Sequence, residues 1–270
     1  MKKNPRPPAR APQSRREPPS SEAEASRAAR PLREDLVLQA SLEAYGFIRH
    51  EGRLADRALD FTLRHKRNLY SNERRAVAER VYALLRRQRT VDFLLERAHR
   101  GFTRLDKTRQ DVLRLAASRI LHGEPADVVA RSSALTGPDA DVLAALPATA
   151  RTLEALPLEK RFPIAASLPD FLATRFREVF GADAERAAEA MNERAPLTAR
   201  TNGFKGDRER LRALLEQEGV QATPTPLSPL GLILDTRTNA FSLEAFRDGW
   251  FELQDDGSQL LGMLVDAPPT

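Results

Sequence analysis

Residues 71–85 read Ser71-Asn-Glu-Arg-Arg-Ala-Val-Ala-Glu-Arg-Val-Tyr-Ala-Leu-Leu85. Val77, Val81, Leu84 and Leu85 recur at helical spacing, so one stripe is apolar and the opposite side is charged. Ser71 or Asn72 offers an N-cap oxygen, and Glu73 lies in the first turn, where the helix dipole favours an anion. Such a stripe needs partners, and the flanking sequence supplies them in the same period. Leu36, Val37, Ala40, Ala44, Phe47 and Ile48 form one set, and Leu54, Ala55, Ala58, Leu59, Thr62 and Leu63 form a second, with Gly52 between them. Thr90 and Asp92 can start a fourth helix carrying Phe93, Leu94 and Ala98 and ending at Gly101. Asp106 opens a fifth with Val112, Leu113, Leu115, Ala116, Ile120 and Leu121, closed by Gly123. No strand pattern interrupts, so residues 32–135 read as an all-helical bundle.

On the N-terminal side, residues 1–31 are rich in Pro, Arg, Ser and Ala and lack an apolar core, so a disordered basic tail is expected, and no signal peptide. Residues 136–167 hold Pro138, Pro147, Pro157 and Pro163 among scattered Leu and Ala, and read as a linker or an extension of the bundle. Residues 168–265 mix periods. Helices are predicted over 170–180, with Phe171, Leu172, Phe176 and Val179 inward, over 183–191, and over 207–217. Strands are predicted over 197–202, 220–223, 231–234 and 250–254, followed by a helix over 258–265. Helices with a small antiparallel sheet make an α+β module. The whole chain is therefore α+β in class.

The 270 residues contain no cysteine, which excludes a disulfide scaffold, a thiolate metal site and a cysteine nucleophile in this sequence. No run of 18 apolar residues occurs, so no transmembrane helix and a cytoplasmic location are expected. The net charge of +5 hides an asymmetry: residues 32–135 carry +7, whereas residues 168–270 carry −6. A basic front on an acidic back points to a polyanion partner for the front.

Neither dinucleotide-type nor P-loop glycine motifs are present, and the four histidines have no metal-ligand spacing, so no catalytic, cofactor or metal residue is assigned. Asp255 and Asp256 are adjacent, and on a strand they would point to opposite faces as a solvated strand end. The basic stretch is more informative. From Arg64 to Arg100 there are 11 Lys or Arg against 4 acids. Its bland reading is a solvated helix face; its functional reading is a phosphate-contacting face carrying Arg64, Arg67, Arg74, Arg75, Arg86, Arg87 and Arg89. Only Tyr70 and Tyr82 interleave between Arg64 and Arg89, so backbone and shape contacts to structured RNA are expected to outweigh base stacking. Arg194, Arg200 and Asn202 lie on a polar turn and the strand after it, facing RNA or a further domain.

Three segments then carry a resemblance. They are Asn192 through Arg194, Pro196, Arg200 and Asn202; Gly249-Trp-Phe-Glu-Leu-Gln-Asp-Asp-Gly-Ser-Gln259; and Asp266-Ala-Pro-Pro269. In that order they resemble the Sun/Fmu-type RsmB family of 16S ribosomal RNA cytosine-5 methyltransferases. Residues 71–95 are similar to the NusB-like RNA-binding domain that precedes the catalytic part in that family.

The resemblance implies three parts: a NusB-like helical domain, a small α+β domain of RNA-recognition or ferredoxin-like type, and a Rossmann-like catalytic domain that binds S-adenosylmethionine. The sequence stops where the third part should begin, so residues 266–270 are read as its start and no cofactor is expected on this chain. A chain without cysteine lacks the thiolate that such an enzyme adds to the cytosine ring. The expected partners are ribosomal RNA and the missing methyltransferase domain, with no membrane and no metal. Trp250, Gln254, Asp255, Gln259, Leu261 and Leu264 are expected to face that domain. The alternatives are one half of a split methyltransferase completed in trans, and a free-standing NusB-like factor in antitermination or ribosome assembly.

Overall fold

The computed structural model describes residues 30–235 and 239–265. The expected tail, through residue 29, and residues 266–270 lie outside the described residues. The chain divides into two units at Asn192 and Glu193.

Nine α-helices are described in the first unit. They are α1 (Glu34–Glu51), α2 (Ala55–His65), α3 (Ser71–Ala98), α4 (Lys107–Leu121), α5 (Ala126–Ser132), α6 (Pro138–Glu154), α7 (Leu158–Ala165), α8 (Asp170–Phe180) and α9 (Ala184–Asn192). Gly52 closes α1 in the left-handed region at φ 69°, a conformation that L side chains rarely adopt. The predicted stripe of α3 is at the centre. Val77 and Val81 pack with Val37, Ala40, Ala44 and Leu59, while Leu84, Leu94 and Leu95 pack with Leu113, Leu115 and Ala116 of α4. Each fully buried Leu contributes about 1.5–3 kcal/mol of hydrophobic stabilisation.

Some expectations change here. The third and fourth predicted helices are one helix, α3, with non-helical angles at Arg87 (φ −120°, ψ 18°). Thr90 does not cap a new helix, because its hydroxyl donates to Ile164 O at 2.7 Å. The N-cap of α3 is Tyr70, not Ser71 or Asn72, and Glu73 Oε2 accepts from Tyr70 N at 2.8 Å. Of the two readings of residues 136–167, the structure has an extension of the bundle: α6 fills most of them, and its Val142, Leu143 and Leu146 belong to the same core as α3 and α4. Pro138 sits in the first turn of α6, where the lost N–H needs no partner. Helices α8 and α9 pack within the first unit, where Ala173, Ala184 and Ala188 cluster with Phe162 of α7. The small alanines face this cluster, so Phe171 (72% exposed) and Val179 (73%) point outward instead of inward.

The second unit builds a four-stranded sheet from β1 (Leu197–Thr201), β2 (Ala222–Pro224), β3 (Gly231–Leu234) and β4 (Phe251–Leu253), in the order β2-β3-β1-β4 and antiparallel throughout. Helix α10 (Arg208–Gln217) connects β1 to β2, and the short α11 (Glu244–Arg247) connects β3 to β4. This is a split βαββαβ arrangement of ferredoxin-like type. Ala199, Leu232, Leu234 and Phe251 face one side of the sheet and pack against Leu211 and Leu215 of α10. Gly231 is dictated by crowding: a Cβ there would lie 2.1 Å from Thr225 Oγ1. The last helix is α12 (Asp256–Leu264).

Candidate nucleic-acid interface

The arginines singled out in the sequence separate into two groups once their partners are known. In the first group the guanidinium holds the chain's own carbonyls. Arg74 reaches back from the first turn of α3 and donates to Leu63 O at 2.5 Å and Lys66 O at 3.1 Å, satisfying carbonyls at the end of α2 and the turn after it. Arg87, at the distorted point of α3, donates to Ala165 O at 2.8 Å. Arg89 donates to Leu168 O and to Asp170 Oδ1 at 2.7 Å, tying α3 to the start of α8. These three were expected to face phosphates; each gives at least one donor to a backbone carbonyl, and Arg89 gives another to Asp170. Sequence alone hides this, because the acceptors of Arg87 and Arg89 lie about eighty residues away.

The second group remains open to solvent or half-buried on the surface. Arg64 is exposed and paired with Asp60 at 2.7 Å, an arrangement worth little in water. Arg67 is exposed in the turn before α3. Arg75 and Arg86 share one stripe of α3 with Tyr82 between them, and Arg86 lies 5.9 Å from the Tyr82 ring centre. Arg64, Arg67, Arg75 and Arg86 therefore make up the basic surface contributed by α2, the following turn and α3.

In the second unit, Arg194 is exposed in the turn before β1. Arg200 is exposed on β1, in register with Glu252 of β4. Asn202 is a structural residue. Its Nδ2 donates to Gly249 O at 2.8 Å, and its Oδ1 accepts from Phe204 N at 3.1 Å, so it pins the turn after β1 to the start of β4.

The residues expected to face a further domain also divide. Trp250 is half-buried, and its ring would touch any Cβ added at Gly206 at 2.9 Å. Asp255 and Asp256 are not a solvated strand end. Asp255 is the N-cap of α12 and accepts from Ser258 N at 2.8 Å and Ser258 Oγ at 2.7 Å; the hydroxyl and then the N–H hold its carboxyl below the usual range. Asp256 accepts from Leu227 N and Ser228 N and anchors the loop before β3. Gln259 is buried, and its Nε2 donates to Gln254 O at 2.9 Å. Only Leu261 (65% exposed) and Leu264 (80%) of this set present an open apolar face.

Among the described residues no group of three His, Cys, Asp or Glu could hold a metal ion, and no helix is long and apolar enough to cross a membrane. S-adenosylmethionine does not fit what is described. The sheet is antiparallel throughout, so it has no crevice where parallel strands diverge, and Gly206 in the loop after β1 packs on Trp250.

Comparison with known proteins agrees with this architecture. Residues 29–132 match the NusB family, and residues 168–240 match the ferredoxin-like domain of Methyltr_RsmF/B-like proteins. The latter match starts ahead of the division at Asn192 and so takes in α8 and α9. A probable ribosomal RNA small subunit methyltransferase B of Synechocystis sp. is 27% identical over 79% of this chain and 52% of its own length. The ribosomal RNA small subunit methyltransferase B of Vibrio cholerae is 33% identical over 34% of this chain and 21% of its own, and that of Xylella fastidiosa 32% over 41% and 26%. The chain thus spans about half of the first relative and about a fifth to a quarter of the other two. The crystal structure of PH0851 superposes with a TM-score of 0.60 at 17% identity, over 89% of this chain and 57% of that one, which is a likeness of fold.

Proposed function

We infer that this chain, an RsmB-like N-terminal portion with a NusB-family region ahead of an RsmF/B-type ferredoxin-like domain, serves to engage ribosomal RNA in the cytoplasm for a small-subunit methyltransferase. The observation that carries the reading is the basic surface of Arg64, Arg67, Arg75 and Arg86 on the NusB-family region, whose donors are not consumed by backbone carbonyls. Guanidinium groups in that state exchange water and counterions for phosphate oxygens at little structural cost. Arg200, exposed on β1, extends the same role to the second unit. Arg74 supports the surface by holding the end of α2 and the turn after it.

The test is the salt dependence of binding to a 16S ribosomal RNA fragment. Replacing Arg67, Arg75 and Arg86 together by alanine should flatten the slope of log K against log salt by about 2, at roughly 0.7–0.9 per lost phosphate contact. An unchanged slope and affinity would remove the reading.

The exposed apolar face of α12 supports a second element of it. Leu261 and Leu264 are mostly exposed, beside Val265 at 73%, and a Rossmann-like methyltransferase domain would cover them, whether joined to this chain or supplied in trans. Leu261→Asp with Leu264→Asp should abolish co-purification with such a domain while leaving RNA binding within about twofold. Retained co-purification would place the interface elsewhere.

A further inference from the structure

Beside the turn from α1 to α2 lies a cleft of about 670 Å³, lined by Arg53, Leu54, Arg57, Phe61, Arg64 and His65. Here basic side chains and an exposed aromatic ring coincide in a cavity. Phe61 is 40% exposed, at the edge of the face of α2 on which Ala58, Leu59 and Thr62 are buried. Two rings pack against it. Phe47 meets it edge-on at 5.4 Å, and the His65 ring lies 4.2 Å away, tilted by 38°. His65 is fixed in turn, because its Nδ1 donates to Phe61 O at 2.7 Å. Arg53 lies over the Phe47 ring at 4.2 Å and near Phe61 at 5.2 Å. A ring surface that is both exposed and already immobilised costs little further entropy when a flat ligand stacks on it.

The charges of the cleft indicate what else the ligand carries. Arg53 and Arg64 are paired with Glu51 and Asp60, each at 2.7 Å. Arg57 has no ion pair among the described residues and is exposed at the rim. One unsatisfied guanidinium suits one phosphate. The Asp60 carboxylate inside the cleft repels a second, so an electrically neutral flat group better suits the remaining space.

We propose that this cleft takes a single unpaired nucleotide of the bound RNA, with its base stacked on Phe61 and His65 and its phosphate on Arg57. The proposal rests on the RNA-binding reading above and adds to it a site for a flipped or single-stranded base. The residues between Arg64 and Arg100 contain few aromatics, so the sequence predicted little stacking. The rings are supplied instead by Phe47 and Phe61, which lie ahead of that stretch. A duplex cannot use the site, because its bases are stacked on one another.

The experiment uses the full chain, with fluorescence anisotropy on two probes: a short single-stranded oligoadenylate and a blunt RNA duplex. Phe61→Leu should weaken the oligoadenylate about tenfold and the duplex less than twofold, since a lost stacking contact of about 1.4 kcal/mol is a factor of ten. Arg57→Ala should weaken the oligoadenylate and lower its salt slope by about 0.7. An oligoadenylate replaced by 4-thiouridine oligomer should photo-crosslink to Phe61 or His65. Unchanged oligoadenylate binding in both variants, an equal loss on both probes, or crosslinks only elsewhere would overturn the proposal. If Phe61→Leu fails to fold, Arg57→Ala and the crosslink decide, because Arg57 is exposed and supports nothing described. Should the Arg67, Arg75 and Arg86 triple variant still weaken binding while these variants do not, the cleft alone is refuted. If that triple variant has no effect either, the RNA reading falls with it.

Discussion

Arg114→Met should lower the stability of the first unit by about 3–5 kcal/mol, the cost of removing one partner from a buried ion pair. Arg114 is 7% exposed on α4 and donates from three nitrogens: Nε to Asp92 at 2.7 Å, Nη1 to Asp111 at 2.9 Å and Nη2 to Gln110 at 3.1 Å. Its guanidinium also lies 5.1 Å from the Phe102 ring. Asp111, 6% exposed, spends its second oxygen on His50 Nε2 of α1 at 2.7 Å. Nearby, burial raises the Tyr45 phenol above its ordinary range, so it stays a neutral donor to Gln88 Oε1 at 3.1 Å. Methionine fills the volume but leaves two carboxylates without their cation. At about 2–4 °C per kcal/mol for a unit of this size, the helical melting transition should fall by roughly 10 °C. The single tryptophan, Trp250, belongs to the second unit and reports on that unit separately. Circular dichroism should therefore register the loss while the Trp250 fluorescence transition stays in place. Adding Asp92→Leu and Asp111→Leu to Arg114→Met should restore much of the stability, because a network replaced whole leaves no orphaned charge. A melting point unchanged by Arg114→Met would show that the network contributes nothing.

Glu73→Ala should cost about 3 kcal/mol, by the loss of charge-assisted hydrogen bonds and of a helix cap. Glu73 is fully buried yet accepts four hydrogen bonds. They come from Arg33 N at 3.1 Å, Arg33 Nε at 2.8 Å, Arg33 Nη2 at 2.6 Å and Tyr70 N at 2.8 Å. The Arg33 guanidinium, with these backbone donors, holds its carboxyl at about 2 against an ordinary 4.5. A carboxyl depressed in the folded state contributes fully above its unfolded value and loses that contribution as pH falls through the folded one. The stability difference between the parent chain and Glu73→Ala should accordingly be full above about pH 4.5 and shrink toward pH 2. A difference that stays constant across that window would rule out an ionised Glu73 as the stabilising species. Arg33 also lies 4.2 Å over the Tyr70 ring and donates to Asn68 O at 2.7 Å, so this one pairing fastens the entry of α1 to the start of α3.

Helix and strand positions were legible because they depend on near neighbours. The stripe of Val77, Val81 and Leu84, the left-handed stop at Gly52, the N-caps Asp106 and Asp207, and the strands around Ala199 and Leu232 all follow from periods and caps a few residues long. The βαββαβ order was legible only as an alternation of elements; pairing β1 with both β3 and β4 needed the fold. Where partners lie far along the chain, the reading missed. Thr90 looked like a cap, yet its hydroxyl belongs to Ile164. Phe171 looked like core, yet Ala173 takes the inward position because α9 approaches through Ala184 and Ala188.

The sequence by itself determined the two kinds of unit, their order, the basic character of the first and the absence of cysteine, since all four are properties of composition and local period. Which arginines are open to a partner was decided only by the tertiary structure. A guanidinium carries the same charge whether it faces water or a carbonyl, and composition cannot tell the two apart. Arg74, Arg87 and Arg89 are held by carbonyls that folding brings to them, whereas Arg67, Arg75 and Arg86 remain on the surface. The same folding sets Phe47 of α1 against Phe61, and so makes a cleft with Arg57 and His65, which the helical spacing of α2 already places beside Phe61.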